Sequence, residues 1–252
     1  MAQQATPVRS ARLGRALGAE PATVGAVVLL LPGGDEVSQR RPSPLRAAAA
    51  VRPLGRRLLR AARGEGLAAH VVHYRYRGWN GADATLAEDA TWAADEVVRR
   101  YGDVPICLAG VAMGGRAALR AGGHEAVDSV LALAPWLPEE GGAESPEPVK
   151  QLVGRRVLIV HGTHDERSDP ERSFRLAARA KKTNRDVCRF EVHADRHGLQ
   201  QYRDEVHALA ADFLMGTLYG RAFSRPVRDA LAAPPPLGLR MPLAAGFGKT
   251  LR

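Results

Sequence analysis

Leu108-Ala109-Gly110-Val111-Ala112-Met113-Gly114-Gly115-Arg116-Ala117-Ala118-Leu119 is the stretch on which the reading of this chain turns. An apolar strand enters a turn of small residues and leaves it as a helix. Glycines at 110 and 114 admit a tight turn in which the helix and strand backbones approach closely. Outward from it, β-like runs alternate with helical ones. The runs are Ala26–Leu31, Ala68–Tyr74, Pro105–Ala109, Ser129–Ala134, Arg156–His161 and Val187–His193. Several are continuously apolar, as strands covered on both faces should be. Helices are expected over 43–64, 83–101 (with Gly102 as a C-terminal cap), 113–121, 170–181 and 199–216. The alternation predicts an α/β fold, a mostly parallel central sheet with helices on both faces.

The chain has 252 residues, 45% of them apolar and 25% charged, which suits one folded domain with a sizeable core. The apolar run Ala26–Leu31 ends at Pro32-Gly33-Gly34, far short of the ~20 residues of a spanning helix. No apolar stretch long enough for a signal peptide follows Arg9, Arg12 and Arg15. Cys107 and Cys188 lie inside strand-like runs and suggest no disulfide framework, so a cytoplasmic location is expected. The net charge of +9 is uneven: 217–252 holds +5 and 1–24 holds +2, which leaves 25–216 at +2. Only four of the 36 bases are lysine. This pattern looks like a coding bias more than a nucleic-acid-binding face. We therefore expect an N-terminal extension over 1–22, one domain over 23–216, and a flexible, basic, Pro-rich tail over 217–252. Pro138–Pro148 reads as a surface loop, too brief for a large cap domain.

Further segments carry chemistry. Val157–Val160, followed by His161-Gly162-Thr163-His164-Asp165, is a buried strand delivering an acid just past its end. Phe190-Glu191-Val192-His193-Ala194-Asp195-Arg196-His197-Gly198 delivers a histidine ahead of the last helix. Val27–Leu31 with Pro32-Gly33-Gly34-Asp35 is a strand followed by a glycine loop. In this order the four segments resemble the α/β-hydrolase family, with its serine esterases, lipases and dienelactone hydrolases. The likeness covers about residues 24–216. It implies that 110–114 is the nucleophile elbow, that Asp165 is the triad acid and that His197 is the histidine. It also implies that the N–H groups of Met113 and Gly34, with Gly33 the next candidate, form the oxyanion hole. The sequence departs from the family at the centre of the elbow, where position 112 is alanine and not serine, and at Pro32, where many members have histidine.

An imidazole near neutral pKa can take a proton from a hydroxyl or from water, and a carboxylate on its far nitrogen fixes the tautomer. An alanine methyl offers no lone pair, so an acyl-enzyme cannot form at 112. The expected function is thus an ester or small-amide hydrolase site with acyl-enzyme turnover absent or greatly reduced. The alternative is a non-catalytic small-molecule-binding or adaptor protein on a hydrolase scaffold. The expected partner is a small ester or carbonyl compound, with no cofactor, metal, nucleic acid or membrane. The other candidates have plainer readings. Asp169, beside Pro170, reads as a helix N-cap. His161 reads as structural, and His164 and His193 lack metal-ligand spacing. Cys107 reads as core. Trp136 and the Tyr74–Trp79 run either line a pocket or pack as loop aromatics.

Overall fold

The computed structural model describes residues 9–139, 141–142, 145–193 and 195–249. Two short strands, β1 (Arg12–Leu13) and β2 (Leu17–Gly18), precede six longer ones: β3 (Ala26–Leu31), β4 (Leu67–His73), β5 (Ile106–Val111), β6 (Val127–Leu133), β7 (Arg156–Gly162) and β8 (Val187–Val192). A last two-residue strand, β9 (Met241–Pro242), follows them. The sheet order is β1-β4-β3-β5-β6-β7-β8-β9, with β2 also on β4. All pairings from β4 to β9 are parallel, and β1 and β2 run antiparallel to β4.

β3 shows why the apolar runs had to be continuous. All of its residues are buried, and they alternate between two cores. Val28 and Leu30 pack on one side with α1 (Pro44–Ala61), α5 (Arg203–Tyr219) and α6 (Arg225–Ala232). Val27, Leu29 and Leu31 pack on the other with α2 (Thr85–Tyr101), α3 (Met113–Ala121) and α4 (Pro170–Thr183). A strand with helices on both faces has no polar side to spare. α2 stops at Gly102, whose φ of 77° is open to glycine and whose N–H caps Val98 O. α4 starts at Asp169, whose carboxylate accepts from Glu171 N at 2.9 Å. No helix among the described residues is long and apolar enough to cross a membrane.

The sequence expectation fails at both ends of the chain. The N-terminal extension is partly sheet: Arg12 and Leu13 pair with His73 and Val72, and Leu17 and Gly18 with Ala69 and Ala68. Two-residue strands are too short to show periodicity. The expected flexible tail is folded as far as residue 249, and its last three residues lie outside the described ones. α6 buries Val227 and Ala230, and Leu239 is wholly buried. The Lys181 ammonium, itself buried, donates to Val187 O, Ala230 O and Leu231 O and so satisfies carbonyls at the end of α6. Arg240 pairs with Glu171 and Glu191 and lies 3.8 Å over the Phe174 ring. The tail's positive charge is thus partly spent on acids of the domain. Glu147, in the expected surface loop, is also buried, held by Arg116 and Arg120 at 2.7 and 2.6 Å; residues 140, 143 and 144 of that loop lie outside the described ones.

If the C-terminal segment is part of the core, Leu239→Ala should cost about 2–5 kcal/mol of unfolding free energy, as other buried leucine truncations do. Chemical denaturation of the variant checks this, and a freely moving tail would give no change.

Candidate active site

β3, β5, β7 and β8 are parallel, so the loops leaving them emerge at one edge of the sheet, where open α/β sheets bind ligands. The first loop is the elbow between β5 and α3. A Cβ on Gly110 would lie 2.0 Å from Gly114 O, and one on Gly114 would lie 2.2 Å from Leu31 O. Only glycine at both positions lets α3 seat its first turn against β3 and β5. The chain must reverse within that space, and Ala112 takes φ 49° and ψ −120°, a strained conformation for a residue with a Cβ. Its backbone is tied on both sides. Ala112 N donates to Leu133 O, and Ala112 O accepts from Gly115 N and Trp136 N. Met113 follows as the first residue of α3.

The acid loop leaves β7. Asp165 is buried, and its Oδ1 accepts from the backbone N–H groups of Arg167 and Ser168 at 2.9 and 3.0 Å. Oδ2 lies 2.9 Å from His197 Nδ1 and 3.2 Å from His161 Nε2. Burial alone would raise this carboxyl's pKa; the hydrogen bonds from His161, His197 and Arg167 N outweigh it and hold the pKa well below the usual range.

His161 thus does more than fill the core. Its Nε2 faces two acceptors, Asp165 Oδ2 and Ser168 O, so it must carry a proton. Burial lowers its pKa and favours the neutral ring, whose Nδ1 lies 2.9 Å from Ser173 Oγ, a hydroxyl that also donates to Pro170 O at 2.8 Å. Ser173 Oγ in turn accepts from Arg189 Nε at 3.0 Å. A buried guanidinium is therefore connected to the acid through two side chains. The sequence indicates neither Ser173 nor Arg189, because α4 and β8 lie far from Asp165 along the chain.

The histidine loop leaves β8. It is shaped by Asp195, whose carboxylate accepts from Arg196 N at 2.8 Å and Tyr202 N at 3.2 Å and whose carbonyl accepts from His164 N at 3.0 Å. Gly162 lets this loop pass close to β7, since a Cβ there would lie 2.5 Å from Asp195 O. His197 is about one-fifth exposed and shares a cavity of 370 Å³ with Ala112 and Gly33, walled by Leu54, Leu133, Leu199 and Val206. Ala112 and His197, far apart in the sequence, therefore line one cavity, and Asp165 touches it only through its bond to His197.

Of the two glycines read as oxyanion donors, Gly33 lies at Ala112, where an added Cβ would stand 3.6 Å from the Ala112 methyl. Gly34 faces Arg77 O and Leu86 and does not line this cavity. Pro32 O accepts from the Tyr74 hydroxyl at 3.2 Å. Trp79 and Trp136 flank the buried Arg116, 3.9 and 5.4 Å from their rings, and border a neighbouring cleft. His164 and His193 are exposed. Cys107 is buried, and burial pushes its thiol up to about 12, so it supplies no thiolate.

The prolyl oligopeptidase family profile matches residues 135–220, about a third of the chain, which includes Asp165 and His197 but not the elbow. No curated protein matches. Among solved structures, an esterase from Pyrococcus furiosus superposes with a TM-score of 0.61 at 16% identity, over 77% of this chain and 82% of its own. An α/β serine hydrolase homologue from Coxiella burnetii gives 0.55 at 18% identity, over 80% and 89%. Est1E from Butyrivibrio proteoclasticus, solved with ferulic acid, gives 0.57 at 14%, over 82% and 95%. The chain has the α/β-hydrolase fold, with no large cap among the described residues.

Because the Asp165 pKa is depressed in the folded protein, its charge stabilises the fold above the unfolded carboxyl's pKa, and that contribution is lost as pH falls through the folded one. Asp165→Asn should cost about 1–3 kcal/mol at neutral pH. The gap to the parent protein should narrow as pH drops below about 4, measured by denaturant titration at a series of pH values.

Proposed function

We propose that this protein binds small esters or related carbonyl compounds in a serine-hydrolase-type site whose nucleophile position is Ala112. Acyl-enzyme hydrolysis is absent or greatly reduced. The observation that carries this reading is the elbow itself. Ala112 keeps a positive φ in a turn that only glycines at 110 and 114 permit, and it opens on the cavity of an aspartate-bound histidine. The esterases and serine hydrolase homologue of like fold support the class of chemistry.

In this reading the ligand's carbonyl sits beside the Ala112 methyl, with its oxygen toward the N–H groups of Met113 and of the Gly33-Gly34 loop. Gly33 is favoured over Gly34 by its place against Ala112. His197, held by Asp165 through Nδ1, presents Nε2 as the base that would take a hydroxyl proton. With a methyl at 112 there is no proton to take and no oxygen to attack. What remains is binding and electrostatic stabilisation of a carbonyl. In a serine protease, loss of the nucleophile costs on the order of 10⁶ in turnover, while a residual ~10³–10⁴ over water can survive.

A second reading, a binding protein with no surviving catalytic geometry, predicts a different response to one substitution. The native chain should show negligible hydrolysis of short-chain p-nitrophenyl esters. Ala112→Ser should raise the rate by about 10³ or more, and Ala112→Ser with His197→Ala should abolish the gain. Absence of activity in the serine variant, with its fold intact, overturns the hydrolase-type reading in favour of the second one. If instead the alanine form is active and His197→Ala removes that activity, the imidazole is activating water directly.

A further inference from the structure

A second cavity, of 520 Å³, adjoins the first, and Pro53, Arg203 and His207 line both. One wall belongs to α1, which contributes Arg56, Arg57 and Arg60; another belongs to the start of α5. The far wall is the C-terminal segment Phe247-Gly248-Lys249. That wall is built closely. Gly246 N donates to Glu205 at 3.0 Å, and a Cβ on Gly248 would lie 2.4 Å from the Ala208 Cβ.

The charges around this cavity do not balance. Among the described residues lining it, Arg56, Arg57, Arg60, Arg203 and Lys249 stand with only two acids, Asp204 and Glu205, and Glu205 is already engaged by Gly246 N. Other arginines of the fold do have carboxylate partners, as Arg75, Arg77, Arg99, Arg120, Arg172, Arg189 and Arg240 show. None of the five bases here has a carboxylate within ion-pair distance among the described residues. The Nε of Arg57 is buried with no hydrogen-bond partner. Burial first, and then Arg203 and Arg57 against the opposing Asp204, drive the His207 pKa down to about 4. A buried donor without an acceptor is costly, and the exposed bases Arg56, Arg60, Arg203 and Lys249 beside it add a positive potential that an anion would answer.

We propose that the two cavities form one binding site, whose carbonyl end is at Ala112 and His197 and whose far end, at Arg203 and Arg57, takes an oxyanion. The ligand is then an ester or related carbonyl compound with a carboxylate or phosphate tail. The proposal rests on the reading of the first cavity as the carbonyl site and adds the ligand's charge. Arg203 stands in the wall common to both cavities and Arg57 beyond it, so a tail of a few bonds would be met first by the one guanidinium and then by the other.

Direct binding to the native full-length chain tests this without any turnover. Calorimetric titration should show 4-phenylbutyrate and 4-phenylbutyl phosphate binding about ten-fold tighter than neutral 4-phenylbutyramide, the factor that one charge-assisted hydrogen bond supplies. The preference should shrink as ionic strength rises from about 0.01 to about 0.5 M, and it should vanish in R57Q/R203Q, which should bind all three ligands alike. The stronger of the two anionic ligands indicates which oxyanion the site prefers. Ala50→Trp, an exposed helix position lining the first cavity, should weaken all three ligands together. Equal binding of acid and amide, no binding of any of them, or a charge preference that survives in R57Q/R203Q would overturn the proposal. Anion binding untouched by Ala50→Trp would also overturn it, because the rim would then be a separate site. The serine-gain experiment reads turnover of neutral esters and the titration reads charge preference, so a failure of the carbonyl-site reading and a failure of the anion end give different results.

Discussion

The close crossing of Gly110 and Gly114 is the contact on which this site depends. Carbonyl oxygens of Gly114 and of Leu31 and Pro32 occupy the space any side chain at those positions would need. With both positions bare, α3 can start against the ends of β3 and β5, and the chain between them has room for only one path. That path gives Ala112 its positive φ and sets Met113 as the first helical residue, where the N–H has no partner within the helix. The backbone therefore makes a tight strand-to-helix turn with an alanine methyl at its apex. Strain of this kind persists only where the surroundings over-determine it, and here the fixing contacts lie in the sheet and not at residue 112.

The other half of the site is electrostatic. Asp165 is out of water, and its charge is acceptable because donors surround it: two backbone N–H groups of its own loop and two imidazoles from different directions. Arg189, fully buried on β8 and bonded to Ser173, Glu191 and Leu239 O, stands behind His161 in the same polar seam. The seam also joins the acid loop to the C-terminal segment. Gly238 O accepts from Arg189 N, and β9 extends the sheet beyond β8. A region rich in Pro and Arg thereby becomes part of the scaffold under the acid and histidine loops, and it closes the basic cavity beside His197.

Much of this was legible in the chain itself. The six apolar runs mark the six longer strands to within about two residues because a strand buried on both faces must be apolar throughout. α3 is found at its predicted limits because an alanine-rich helix following a glycine turn has few alternatives. The order of elbow, acid and histidine follows from the strand ends, and Asp169 is recognisable as a cap from the proline after it. Residues 9–22 and 217–249 fall outside such a reading because most of their structure is too short to show a period. β1, β2 and β9 have two residues each, and α6 is stable only with Val227 and Ala230 against the sheet. A charge count also cannot tell which arginines are paired.

By itself, the sequence determined the layered parallel architecture, the glycine turn and the residue that stands at its apex, since these depend on local sterics and on the period of burial. Tertiary structure alone decided that His161, Ser173 and Arg189 gather behind Asp165, that Gly33 lies closer than Gly34 to Ala112, and that the C-terminal segment walls a positive cavity. Those arrangements join residues on different elements. Their energy comes from desolvation and from hydrogen bonds that exist only once the sheet has placed the partners side by side.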